Sequence, residues 1–121
     1  MKLQTIFNRV KKHLLKQNEK ALTDMGKCRY KAKSGLKCAI GCLIHKKYYD
    51  EDIEDNGASE YLVRQAVAKS LKLQAFDEDN VLTEMLGDLQ YIHDMTPTFE
   101  WSMKLKEYKE NHSKLLKHII T

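Results

Sequence analysis

Cys38-Ala39-Ile40-Gly41-Cys42-Leu43-Ile44 decides the fold, because these seven consecutive residues carry no polar side chain beyond thiols. Such a run belongs inside a core. Periodicity alone does not separate a buried strand from a short buried helix. Small residues at 38, 39, 41 and 42 favour a tightly packed helical turn, and Gly41 lets a neighbouring backbone approach closely. The rest of the chain must supply the elements that cover it.

On the N-terminal side, Gly26 to Lys37 has no helical period, and Ser34-Gly35 is a turn signal between two short segments. This predicts a small hairpin pairing Cys28–Ala32 with Leu36–Cys38. Two strands alone are marginal in water, so helices must pack over it. Before it, Leu3, Ile6, Phe7, Val10 and Leu14 recur at helical spacing, with Lys11, Lys12 and Lys16 filling the other face. The expected helix runs from about residue 2 to 17.

On the C-terminal side, residues 45–58 read as an acidic loop closing on the turn Asn56-Gly57. Ser59 is the expected N-cap of a helix through about Leu73, with Leu62, Val63, Ala66, Val67, Ser70 and Leu71 inward. Asp77 or Asp79 caps the next, whose stripe is Val81, Leu82, Met85, Leu86, Leu89, Ile92 and His93. Thr96-Pro97 opens a last helix, with Thr as N-cap and the only Pro in the first position. Its expected face is Phe99, Trp101, Met103, Leu105, Tyr108, His112, Leu115, Leu116 and Ile119. The reading is a mainly α single domain over residues 1–121: four principal helices, a short buried apolar element and one small β-hairpin as a minor α+β feature.

Hydrophobic residues at 42% and charged residues at 31% exclude a disordered chain. No apolar run approaches a membrane span and no signal-peptide pattern opens the chain, so the expected location is the cytoplasm, where the three cysteines stay reduced. The net charge of +4 conceals a strong asymmetry: residues 1–47 sum to +11, residues 48–100 to −10 and residues 101–121 to +3. Either the two oppositely charged regions face each other or stay solvated, or the basic third is a patch for nucleic acid or an acidic protein. Thirteen carboxylates in the middle region argue against plain phosphate binding, since they repel a polyanion unless they lie on the far side. Arg29, Tyr30, Lys31, Lys37, Lys46 and Lys47 are the candidate binding residues, bases interleaved with or near aromatics.

Cys28, Cys38, Cys42 and His45 offer ligand types that suit zinc. Their spacing lacks the paired knuckles of structural sites, and burial of Cys38 and Cys42 as small hydrophobes competes with it. No metal or other cofactor is therefore expected. Cys38 follows Lys37 at a possible helix start, which makes it a candidate nucleophile with His45 or His93 as base. His93-Asp94 resembles a dyad, but adjacent helical residues point about 100° apart and are not expected to pair. A core position is the simpler reading of His93, and Asp94 is expected to organise the turn before Pro97. The acidic run from Asp50 fails as a calcium loop. Starting at Asp50 puts Asp55 at the glycine position, and starting at Asp52 puts Val63 at the bidentate Glu position. No catalytic constellation is complete, although Cys38, His93 and Asp94 remain the candidates for one.

Cys28-Arg29-Tyr30, then Gly35-Leu36-Lys37-Cys38-Ala39-Ile40-Gly41-Cys42-Leu43-Ile44, then Tyr49-Asp50 and Glu54, resembles a group of small phage and bacterial proteins. That group carries the signature C-x-Y-(R/K)…G-x-K-C-A-(I/V)-G-x-L-I. Leu89-Gln90 with His93-Asp94, and Trp101 shortly after, is similar to its C-terminal half. The chain departs from it after Ile44, where His45-Lys46 stands in place of Pro-Asp. The resemblance implies a phage or prophage setting and no reaction. The resulting expectation is an accessory protein that binds a partner protein, host-encoded in that setting, and interferes with a defence or regulatory system. The alternatives are a nucleic-acid-binding protein using the basic third, and a small Cys/His enzyme or zinc protein. The oligomeric state is open.

Overall fold

A computed structural model describes residues 1–121. Its longest N-terminal element, α1 (Leu3–Gln17), follows the expected apolar stripe: Leu3, Ile6, Phe7, Val10 and Leu14 are completely buried. The helix stops at Asn18, whose left-handed φ of 52° returns its N–H to the Leu14 carbonyl. Asn is among the few residues that tolerate that conformation. No side chain caps the start of α1. The C-terminal tail does so instead, with Leu3 N–H donating to the His118 carbonyl at 2.9 Å and Lys2 bridging Ile119.

Residues 18–37 make two successive tight reversals. The first joins Leu22 to Cys28 around Gly26, and the second joins Lys31 to Lys37 around Gly35. The expected hairpin is thus a small feature with one antiparallel bridge. Its pairing does not extend to Cys28–Tyr30 because those amides are used elsewhere. Arg29 N–H goes to the Ala21 carbonyl at 2.9 Å, and Tyr30 N–H goes to Glu54 Oε1 at 2.9 Å.

The apolar segment is a helical turn, with a 3-10 helix at Gly41–Leu43. Every residue from Cys38 to Ile44 except Cys42 is buried. Gly41 lies so close to the Tyr30 carbonyl that a Cβ there would sit 1.8 Å from its oxygen. Residues 45–58 are loop apart from a second 3-10 turn, Glu51–Ile53, begun by Asp50 accepting from Asp52 N–H at 2.8 Å.

Helix α2 (Tyr61–Leu71) starts after Glu60, not at Ser59. The Ser59 carbonyl is engaged by Arg64 Nε at 2.9 Å. Val63, Ala66, Val67, Ala68 and Leu71 are buried, whereas Leu62 faces outward. Helix α3 (Val81–Met95) is capped by Asn80, whose side chain accepts from Leu82 N–H at 2.8 Å, so neither Asp77 nor Asp79 is the cap. Its buried stripe is as expected, with Thr83 added and Val81 only half-buried.

Thr96 closes α3 through its N–H to the Ile92 carbonyl, and its own carbonyl receives Trp101 Nε1 at 3.0 Å. It is therefore not an N-cap. A 3-10 turn, Thr98–Glu100, leads into α4 (Trp101–Asn111), and a break at His112 leads to α5 (Ser113–Leu116). The phase of α4 is set by Trp101, Leu105 and Tyr108, all buried. Phe99 and Met103 are two residues out of that phase and fall on the opposite face. The α1 helix packs against α3, α4, α5 and the Gly41–Leu43 turn, while α2 covers the Gly41–Leu43 and Glu51–Ile53 turns, giving one continuous core. No helix is long and apolar enough to cross a membrane.

Candidate functional site

Three places draw together the side chains that chemistry would need. The first is the junction between the reversals and the acidic loop. The Arg29 guanidinium meets both Glu51 carboxylate oxygens at 2.7 and 2.9 Å and lies 3.6 Å from Glu54. The Glu54 side chain is 6% exposed and accepts from Tyr30 N–H at 2.9 Å, Lys31 N–H at 3.2 Å and the Tyr49 hydroxyl at 2.6 Å. Tyr30 is buried, and its hydroxyl donates to the Asn56 carbonyl. Lys27 pairs with Asp55. A buried carboxylate with this many donors is a structural anchor. Burial, then Glu54, pushes the Tyr49 hydroxyl up to about 12, while the hydrogen bond from Arg29 works against them.

Of the six expected binding residues, then, Arg29 and Tyr30 are consumed inside the molecule. Lys31 is exposed with its Nζ 5.4 Å from the Tyr49 ring, and Lys47 lies 5.5 Å from the Tyr48 ring. Lys46 is exposed, and the Lys37 backbone is clasped by Gln17 through bonds of 3.0 and 2.8 Å. The six do not make one patch.

The second place lies at the C-terminal end of α3. His93 is completely buried, stacks on Trp101, and donates from Nδ1 to Asp94 Oδ1 at 2.7 Å. The expectation that these neighbours do not pair is corrected here. Gln90, one turn back, draws the Asp94 carboxylate along the helix with a 2.8 Å bond, and Nδ1 is the ring nitrogen nearest the backbone. The thiol that joins them is Cys28, not Cys38: the Cys28, His93 and Asp94 ligand atoms all lie within 4.8 Å of one another. Cys28 and Asp94 line a surface cleft of about 450 Å³ with Arg29, Gln90 and Tyr91, whereas His93 is completely buried.

This cluster has the residue types of a nucleophile site or a metal site, and its hydrogen bonds already engage the imidazole. His93 Nε2 accepts the Ala21 N–H at 3.1 Å, so the proton sits on Nδ1 and both ring nitrogens are occupied. A metal on Nδ1 would force that proton to Nε2, directly against the Ala21 N–H. His93 thus has no free nitrogen with which to act as a base on Cys28, and the Asp94 carboxylate that the thiol bonds is already held by His93 and Gln90. Burial, then a hydrogen bond to Asp94, pushes the Cys28 thiol up to about 12, away from the thiolate. What the cluster does is latch residues 20–21 to α3, with Lys20 Nζ adding a 3.0 Å bond to the Asp94 carbonyl.

The expected zinc set does not assemble either. Cys38 Sγ accepts from Gly41 N–H at 3.3 Å, the Cys42 thiol donates to the Ala39 carbonyl at 3.0 Å, and His45 Nδ1 accepts from Lys47 N–H at 3.1 Å. Cys38 is 1% exposed, and burial holds its thiol at about 12. It is a core residue at the lining of the same cleft as Cys28 and Asp94.

The third place is the surface itself. Arg9, Lys11, Lys12 and Lys16 of α1 enter no ion pair, and no acid precedes Glu19. At the α3–α4 corner, Tyr91 and Met95 of α3, Phe99 of the turn and Met103 of α4 are 65%, 66%, 85% and 48% exposed. The sequence pattern counted Phe99 and Met103 as core, so this row was hidden in it. Comparison with protein-family models, with curated proteins and with solved structures finds no match.

Proposed function

We propose that this chain is a non-enzymatic accessory protein that acts by binding a partner protein through the α3–α4 corner. The exposed row Tyr91, Met95, Phe99 and Met103 carries the reading. Isolated apolar residues on a surface need no explanation, but a series of aromatic and Met side chains has the composition of an interface core. None of the four is needed to complete the molecule's own core, which closes on Trp101, Leu105 and Tyr108. The occupied ring nitrogens of His93 and the raised Cys28 thiol point the same way. In the phage setting that the motif resemblance implies, the partner is a host protein in the cytoplasm, and interference with a defence or regulatory system is the use.

The test is affinity capture from bacterial lysate with the wild type, a Met95→Glu/Phe99→Glu double variant, and Leu62→Glu on α2 as control. At these exposures the substitutions leave stability within about 0.5 kcal/mol. Saturable capture of one protein, weakened about 30-fold or more in the corner variant and unchanged in the control, supports the proposal. Capture indifferent to the corner, or no saturable partner together with turnover of any substrate, refutes it.

A further inference from the structure

A different surface carries a different inference, independent of the corner. We infer that the outer face of α1 binds the phosphate backbone of duplex nucleic acid without regard to sequence. Arg9, Lys12, His13 and Lys16 stand at i, i+3, i+4 and i+7, on one side of the helix, and together with Cys42 they line a shallow concavity of about 290 Å³. From Arg9 to Lys16 the helix rises about 10 Å, and one strand of a duplex presents a phosphate about every 3.4 Å of the duplex axis, along which α1 would lie. The face therefore spans about three phosphates, as many as it has permanent cations.

Three observations single out this ligand. The bases are uncommitted: the acids that pair with the basic third are Glu51, Glu54 and Asp55, and they take Arg29 and Lys27, leaving α1 alone. The face also lacks anchors for a protein. Apart from Leu15, 36% exposed, its exposed residues are Thr5, Asn8, Arg9, Lys12 and Lys16. Interface cores between proteins are depleted in Lys and enriched in the aromatic and Met side chains that α1 does not show. Finally, the face has no Phe, Tyr or Trp on which a base could stack, since Phe7 of α1 is completely buried. Tyr30 is buried, and the Tyr49 hydroxyl is bonded to Glu54. Single strands are held by aromatic stacking, whereas a duplex backbone asks only for placed charge. Nothing on the face is shaped to read bases, hence the lack of sequence preference.

The measurement is fluorescence anisotropy with two unrelated duplexes of about 20 base pairs, titrated with salt. Three phosphate contacts predict equal affinity for both sequences and a slope of log K against log salt of about −2.7. Binding should weaken about 40-fold between 50 and 200 mM salt. Each single variant, Arg9→Gln, Lys12→Gln or Lys16→Gln, should shallow the slope by about 1, and Lys46→Gln/Lys47→Gln should leave it unchanged. Gln is a good helix former, so circular dichroism should show α1 intact. No binding at low salt, or single variants with the wild-type slope, overturns the inference. So does polyglutamate of matched charge bound as tightly as the duplex, which would give the face to an acidic protein instead.

Discussion

Replacing Gly41 by alanine adds one methyl group at the tightest backbone contact found at any glycine in the molecule. Its Cβ would lie 1.8 Å from the Tyr30 carbonyl oxygen and 2.7 Å from the carbonyl carbon, where ordinary contact begins near 3.4 Å. The two segments must part by about 1.6 Å, and neither is free to move. Tyr30 is pinned by its N–H to Glu54 and its hydroxyl to Asn56, and Gly41 by its N–H to Cys38 Sγ and its carbonyl to Ile44 N–H. Overpacking costs about 1–3 kcal/mol where side chains can adjust, and the obstruction here is backbone, so about 3 kcal/mol is expected. Opposing it is only the usual Gly→Ala gain, about 0.4–1 kcal/mol from the unfolded state. For 121 residues the entropy of unfolding near its midpoint is about 0.25 kcal/mol per degree, so the net loss of about 2–2.6 kcal/mol should lower Tm by about 8–10 °C. Gly87, inside α3 with nothing within 4 Å of its added Cβ, supplies the control. There the same substitution should stabilise by about 0.5–1 kcal/mol. Urea unfolding of both variants reads the pair of signs. A Gly41→Ala protein within about 0.5 kcal/mol of wild type would show that the close approach is not a constraint. A Gly87→Ala loss of equal size would show that the effect is generic to glycine.

Two further predictions concern the groups that sequence reading offered as chemistry. The Cys28, Cys38 and Cys42 thiols are each pushed by burial to about 12, so native protein at neutral pH should react slowly with a thiol reagent and show three fast thiols once unfolded. One fast thiol in the native state would reopen a nucleophilic role. For Asp94, burial raises the carboxyl, but the hydrogen bonds from His93, Cys28 and Gln90 outweigh it and leave it below the usual carboxylate range. Its contribution is therefore complete above the unfolded-state value, about 3.9, and is lost as pH falls through the lower folded value. Asp94→Asn should lower stability at neutral pH and flatten the acid limb of a stability–pH curve, and identical acid limbs would refute the assignment.

The parts of the fold legible in the sequence are those set by local pattern and side-chain volume. Leu3, Ile6, Phe7, Val10 and Leu14 specify α1, and the small residues around Gly41 announce a close approach without naming Tyr30 as its partner. Caps were less legible, because several cap-type residues stand near each helix start and tertiary partners choose among them. Arg64 engages the Ser59 carbonyl, and Asn80 wins over Asp77 and Asp79. The phase of α4 was misread because Phe99, Trp101 and Met103 are all large and apolar, and only packing against α1 and α3 shows which face is inward. The cluster of Cys28 with His93 and Asp94 joins residues more than sixty positions apart, a distance over which spacing rules say nothing. The signal that did exist was the bond a buried histidine requires: an apolar stripe containing His93 implies partners for both ring nitrogens.

The net charge of +4 shows how a fold redistributes what composition averages. The thirteen carboxylates of the middle region appeared to oppose a polyanion, yet Glu51, Glu54 and Asp55 are occupied by Arg29 and Lys27. Those pairs take two of the thirteen bases of residues 1–47, and Arg9, Lys11, Lys12 and Lys16 of α1 are among the bases left unpaired. The apolar corner is built of Tyr, Met and Phe and owes nothing to that charge. The two surfaces therefore obey different physics and can be told apart in one titration. Counterion release makes binding at α1 fall steeply with salt, whereas burial of apolar area at the α3–α4 corner is insensitive to it. A partner held by Phe99 and Met95 should survive a salt wash that strips duplex from Arg9, Lys12 and Lys16. If a single wash removes both, the corner and the helix face are parts of one electrostatic surface, and the separation argued here fails.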